Sequence, residues 1–270
     1  MHFTPKQKDI VVDDDNAINI VLGQNKIKLV REIKFLGVII DDKLSWKPHT
    51  KYLNSKLKCE IGKLNMMKHV IPSELYKNVY LTLFESHLSY GITAWGGISK
   101  NLLQPLFITQ KKCIRVMFGD KDAYMDKFKT CARTRSFENR FLGKDFFQGE
   151  PSKPLFHSNN LLTIHNLYKY HCIVELFKVI KLRTPMSIYE LMKRSERREN
   201  YFISLPPSSL FDYQASNFWN KCRKSNSEID FTTSIKIVKT KLKICLLETQ
   251  NRHDMFVWHE FNFDTDHFSF

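Results

Sequence analysis

Apolar residues along this chain change their period at Trp46. Before it, short apolar runs alternate with turn residues: Ala17-Ile18-Asn19-Ile20-Val21-Leu22 leads into Gly23-Gln24-Asn25, Ile27 to Val30 alternates, and Phe35 to Ile40 is nearly continuous until Asp41-Asp42 ends it. Runs of that length bounded by Gly, Asn and Asp predict strands, and the last suits a strand covered on both faces. After Trp46, His49, Leu53, Leu57, Ile61 and Leu64 recur at helical spacing and give one apolar stripe. A second helix is predicted to open at Pro72-Ser73-Glu74, where proline suits a first turn, and to run through Leu75, Val79, Leu83 and Leu88. The aromatic, glycine-rich stretch 90–97 reads as a connector. A third helix is predicted over 99–118, with Leu102, Leu103, Leu106, Phe107, Cys113, Ile114 and Met117 on one face and Gly119 as its C-cap.

Further on the pattern weakens. Residues 120–158 read as irregular and basic, through Lys127, Lys129, Arg133, Arg135, Arg140 and Lys144, with a turn at Gly149 to Pro154. Helical periodicity returns over 159–182 and again over 230–248, where Ile235, Val238, Leu242, Cys245 and Leu246 form a buried set. Between them, Lys193 to Arg198 reads as an exposed link and Leu205 to Ser209 as a loop, and the tail from His253 alternates aromatic and polar residues. The expected fold class is mainly α with a small N-terminal β portion. It divides into strands over 1–45, a helical bundle over 46–119, a basic irregular linker over 120–158 and a helical C-terminal region over 159–270.

Charge changes the picture more than size does. Lys and Arg outnumber Asp and Glu by 42 to 28, a formal +14, which favours a polyanionic partner through its field and through counterion release. The strongest local excess lies between Lys43 and Lys77, with eight lysines against Glu60 and Glu74. Lys47, Lys51 and Lys58 fall along one margin of the first helical stripe, whereas Lys56 and Lys63 lie round on another side. The chain is long enough for a proper core, and 43% apolar residues argue against wholesale disorder. Cys59, Cys113, Cys131, Cys172, Cys222 and Cys245 are spread without CxxC spacing, so free thiols are expected, with no zinc finger and no disulfide-linked partner. No apolar run approaches the length of a spanning helix and the start has no apolar signal core. The expected location is nucleus or cytoplasm, with no membrane partner.

Candidate catalytic chemistry is sparse. Adjacent carboxylates after an apolar strand can hold divalent metals in polymerases, and Asp13 to Asp15 and Asp41-Asp42 are the two such places. Neither has a hairpin around it together with a third carboxylate from an earlier strand, so both read as turn residues. No HxxxH, HExxH, GxSxG, P-loop or GxGxxG pattern occurs. His49 faces the apolar stripe and reads as a half-buried core histidine. Phosphate contact by Lys47, Lys51 and Lys58 is the one activity with positive support, with Tyr52, Tyr76, Tyr80 or Trp95 available to stack on a base or sugar and Lys111, Lys112 and Arg115 as a weaker set.

The stretch Phe35-Leu36-Gly37-Val38-Ile39-Ile40-Asp41, the following Leu44-Ser45-Trp46-Lys47-Pro48-His49, Lys56, Tyr90-Gly91 with Trp95-Gly96, and Gln110 to Arg115 together resemble the segment after the catalytic palm in non-LTR (LINE-like) retrotransposon reverse transcriptases. Met1-His2-Phe3 is similar to the palm strand that follows the catalytic Asp pair, and Phe218-Trp219-Asn220 with the last helix is similar to the C-terminal region of those enzymes. The resemblance implies a truncated palm edge, with Phe35, Leu36 and Gly37 at a primer-grip-like position, followed by a helical thumb that holds RNA/DNA or DNA duplex through Lys47, Lys51, Lys56, Lys58, Lys63, Lys111, Lys112 and Arg115. The family is an RNA-directed DNA polymerase that uses Mg2+. Its catalytic and upstream metal-binding Asp residues have no counterpart here, so no cofactor and no polymerase activity from this polypeptide alone are expected. Two alternatives remain at this point: a noncatalytic helical interaction or structural module, and an element-derived reading frame without selected function.

Overall fold

Short strands come first and helices follow, so the chain is mainly α with a small β portion near its N-terminus. The computed structural model describes residues 20–22, 25–27, 30–119, 152–183, 186, 189, 210–225 and 233–252. Strand β1 (Ile20–Leu22) pairs antiparallel with β2 (Asn25–Ile27), and β3 (Glu32–Phe35) pairs antiparallel with β4 (Val38–Asp41). The apolar run from Phe35 to Ile40 is therefore not one strand covered on both faces. Leu36 and Gly37 break it as a two-residue hairpin loop, with φ of 46° and 86°, the left-handed values that such a loop needs to match strand twist. Phe35 is 59% exposed and Leu36 74%.

The hairpin is tied to the first helix by polar contacts. Both carboxylate oxygens of Asp41 accept backbone N–H groups, Oδ2 from Ser45 and Oδ1 from Trp46, each at 2.9 Å. Burial pushes this carboxyl up, but the bonds from Ser45 and Trp46 outweigh it, and its pKa lies below the ordinary value. Trp46, at φ 61°, then turns the chain into α1 (Lys47–Met67), with Pro48 in the first turn. His49, Leu53, Leu57 and Leu64 are buried as their spacing predicts. His49 Nδ1 accepts the Ile39 N–H at 3.3 Å, so the imidazole pins β4 to α1, and burial lowers its pKa.

A 3-10 turn (Ser73–Leu75), α2 (Tyr76–Tyr80), a π-helical turn (Leu81–Glu85) and α3 (Ser86–Ser89) run on as the second helical stretch. Its buried line is Tyr80, Phe84 and Leu88, while Leu75 is 45% exposed and Val79 and Leu83 are half-buried. The larger rings of Tyr80 and Phe84, stacked 5.5 Å apart, take the interior that leucines were expected to fill. Within the expected connector, α4 (Ile92–Trp95) buries Trp95, whose Nε1 donates to the Tyr90 carbonyl at 2.9 Å. Helix α5 (Lys100–Phe118) ends at Gly119, whose φ of −69° makes no use of glycine's special freedom.

Residues 120–151, expected to be irregular and basic, lie outside the described residues, as do Asp13 to Asp15, Lys193 to Arg198, Leu205 to Ser209 and the tail from His253. Within the expected linker, 152–158 is helical: α6 (Ser152–Ser158) packs on α5. Helix α7 (Ile164–Leu182) is the central element of the second half, with α8 (Leu210–Ser225) and α9 (Ile235–Arg252) against it. One hydrophobic core joins the halves, from Leu57 and Ile114 to Trp219 and Leu242. Val238, Leu242, Cys245 and Leu246 are buried as expected, and Ile235 packs at the margin.

Candidate nucleic-acid interface

Helix α1 buries one stripe, which leaves the cationic residues between its buried positions to sort themselves by angle. Lys47, Lys51 and Lys58 are all exposed. They stand within about 40° of one another around the axis at 100° per residue, and at 1.5 Å per residue their axial spacings are about 6 and 10 Å. Three ammonium groups in such a row present a short line of positive charge of the kind that contacts a phosphate backbone.

Lys56 and Lys63 belong to the opposite flank. Lys63 Nζ pairs with Glu60 at 2.9 Å, and Lys56 and Lys63 both lower the pKa of His87, behind burial as the main cause. Lys34 of the hairpin donates to the Tyr52 hydroxyl at 3.2 Å and sits 4.8 Å from that ring's centre. That bond is the first cause of a lowered Tyr52 pKa, with Lys56 contributing from along the helix. Lys34, Tyr52, Lys56, His87 and Lys63 thus form a second basic strip beside the hairpin. Lys34 and His87 were not among the residues expected there, because only the docking of β3 against α1 and of α3 beside it brings them in.

Phe35, Leu36 and Gly37, expected at a primer-grip-like position, form the solvent-facing hairpin tip. Tyr90 Oη donates to the Leu36 carbonyl at 2.7 Å and holds the loop against the α3–α4 junction. Of the rings proposed to stack on a base or sugar, Tyr80 and Trp95 are fully buried and so are not platforms. Tyr76 donates its hydroxyl to the Lys68 carbonyl at 2.8 Å, and Tyr52 remains accessible in part.

Lys111, Lys112 and Arg115 are half-buried on α5 and do not join the α1 row. Helix α5 meets α1 through Thr109, which donates to Asn54 Oδ1 at 2.6 Å, whereas Phe107 turns toward α7 and touches His165 with ring centres 5.0 Å apart. Lys111 Nζ lies 4.1 Å from the Phe107 ring and so faces the α7 side. Burial, then the neighbouring Arg115, lowers its pKa. No known family, characterised protein or solved structure matches the chain. Its chemistry therefore has to be read from its own residues.

Asp41, of the Asp41-Asp42 pair read as turn residues, accepts a backbone N–H on each carboxylate oxygen, the local hydrogen bonding that a turn aspartate makes. Among the described residues, no three His, Cys, Asp or Glu side chains converge as a metal site, and no helix is long and apolar enough to cross a membrane.

Glu85, at the end of the π-helical turn, is an acidic group that sequence reading did not single out. Its Oε2 is buried with no hydrogen-bond partner, and burial raises its pKa from 4.5 to about 7 despite Lys243 and Lys77 pulling it down. A carboxyl that binds its proton more tightly when folded contributes fully below pH about 4.5, and that contribution is lost as pH rises through about 7. Glu85→Gln is expected to stabilise the protein at pH 8 by roughly 2–3 kcal/mol and to leave stability at pH 4.5 nearly unchanged. Urea unfolding at the two pH values checks it, and an equal effect at both would contradict the shift.

Proposed function

We propose that this chain is the post-catalytic, thumb-like part of a non-LTR reverse transcriptase and that it holds a template–primer duplex through the Lys47, Lys51 and Lys58 row of α1. The carrying observation is that row itself: three exposed cations on one side of a 21-residue helix whose other side is buried. The net charge of +14 supports the same partner class. In this reading the β3–β4 hairpin is the palm edge and α1 to α5 the thumb. It binds and orients duplex without polymerase chemistry of its own. Such a role belongs in the nucleus or cytoplasm.

A salt titration of binding to a short RNA/DNA hybrid tests the reading. Affinity is expected to fall steeply with salt, and Lys47→Glu/Lys51→Glu/Lys58→Glu is expected to reduce the slope of log K against log salt by about 2–3, near the value for three lost phosphate contacts. Circular dichroism checks that the variant stays folded, as substitutions at three exposed positions allow. A second reading, a helical protein-interaction module, is favoured by the exposed apolar tip at Phe35 and Leu36. It predicts a flat salt response in wild type and variant alike.

A further inference from the structure

Away from α1, helices α5, α7 and α8 bring cations and rings together at a place that the sequence marked only in part. His165 on α7 touches the Phe107 ring of α5, and Lys111 lies 4.1 Å from the other partner in that contact, the same Phe107. One turn along α7, Lys169 Nζ sits 6.0 Å from the Phe218 ring of α8, which in turn meets Tyr168 edge-on at 5.9 Å. Lys100, Lys111 and Lys169 all act on His165, behind burial as the main cause, and hold its pKa down to about 3. Lys169 itself is lowered to about 8, first by burial and then by Lys221 of α8.

Lysines that merely reach past a ring into water keep their ammonium groups solvated. Here the side chains of Lys111 and Lys169 are partly withdrawn from water and each has a further cation near it, Arg115 for Lys111 and Lys221 for Lys169, so positive charge is concentrated around His165. Phe107 and Phe218 are packed on the core by one side and remain partly exposed. Cations alternating with accessible rings match a ligand that is anionic and aromatic at once.

We propose that Lys111, His165 and Lys169, with the rings of Phe107 and Phe218, form a nucleotide-binding site in which the ammonium groups take a phosphate and the rings take the base. The shared chemistry is a phosphate bearing an aromatic base, whether in a single strand or as a free nucleotide. The site is independent of the α1 duplex surface and stands or falls without it.

Amine footprinting of the full chain tests this directly. Protein is acetylated at low reagent with oligo(dT) of roughly fifteen nucleotides, with thymidine monophosphate, or with inorganic phosphate, and modification of each lysine is read by mass spectrometry. Protection of Lys111 and Lys169 by the strand alone assigns the site to a strand, and equal protection by the mononucleotide assigns it to a free nucleotide. Either supports the proposal. The ligand that protects is expected to bind about tenfold more weakly to Lys111→Gln/Lys169→Gln and near normally to Lys111→Arg/Lys169→Arg, which keeps the charge if the glutamine variant fails to fold. Lys47→Glu/Lys51→Glu/Lys58→Glu should leave this footprint unchanged. Protection of neither lysine by any probe, or the same protection by inorganic phosphate as by nucleotide, overturns the assignment.

Discussion

Gly96→Ala is expected to destabilise the fold by about 3 kcal/mol, the upper part of the range for overpacking a filled interior. A Cβ at this position would stand 2.5 Å from the Ile92 carbonyl oxygen, 2.5 Å from Tyr168 Cδ2 and 2.9 Å from Ile92 Cγ1. The cost is steric and not conformational, because the backbone there has φ −71°, which any residue adopts. Neither neighbour gives way cheaply. The Ile92 carbonyl accepts the Gly96 N–H at 2.7 Å, and Tyr168 is tethered by its hydroxyl to Gln214 of α8. Gly96, just past the end of α4, thus lies against Tyr168 of α7 with no room for a Cβ, and a bulkier residue would force the two elements apart. Denaturant unfolding measures the loss. A change below about 1 kcal/mol would mean that α4 and α7 are not in such contact.

Gln110→Leu should cost a similar amount, about 3–4 kcal/mol, by a different route. The fully buried side chain makes three bonds: its Nε2 donates to Tyr80 Oη at 3.1 Å and to the Leu162 carbonyl at 3.0 Å, and its Oε1 accepts the Ile164 N–H at 2.8 Å. Leucine fills most of the volume and satisfies none of these groups, and a buried polar group left without a partner costs about 1–3 kcal/mol. Ile164 is the first residue of α7, so its N–H has no acceptor within that helix. Hydrogen exchange offers a sharper readout than stability alone: the Ile164 amide should lose protection in the variant more than amides in the middle of α7. Uniform loss along the helix would mean that Gln110 acts only as filling.

Glutamines from other helices cap α7 in place of a local residue. Thr163 stands at its N-cap without a side-chain cap bond, and Gln250 of α9 accepts the Thr163 N–H at 3.1 Å while donating to the Leu161 carbonyl at 3.3 Å. Asn166 adds bonds to Gln250 and to the Leu246 carbonyl. No reading of residues 159–166 alone could show this, since the acceptors lie 54 and 87 positions away.

Where the periodic signal was strong, the helices stood where it put them. The stripe from His49 to Leu64 and the set from Val238 to Leu246 are buried on their helices, because apolar area repeated every three to four residues can be covered only on one side of a helix. Helix α8 escaped notice for the complementary reason. Its interior positions include Gln214, Ala215, Ser216, Trp219 and Cys222, which carry too little apolar area to stand out. The run from Phe35 to Ile40 misled because a Leu-Gly pair inside an apolar stretch can be strand or hairpin loop, and only pairing of Ile33 with Ile40 and Phe35 with Val38 decides which.

The candidate interfaces divide along the same line. The row Lys47, Lys51 and Lys58 was readable because all three sit on one helix, and helical geometry converts spacing into direction. The separation of Lys111 from that row, its place on the Phe107 ring that His165 also touches, and the recruitment of Lys34 and His87 beside Lys56 belong to packing. By itself the sequence determined the helical class, the positive charge and the exposed side of α1, since each depends on neighbours within a few positions. Tertiary structure alone decided which distant cations and rings share a surface and which glutamine ends which helix, because contacts across dozens of residues are selected by how whole faces fit.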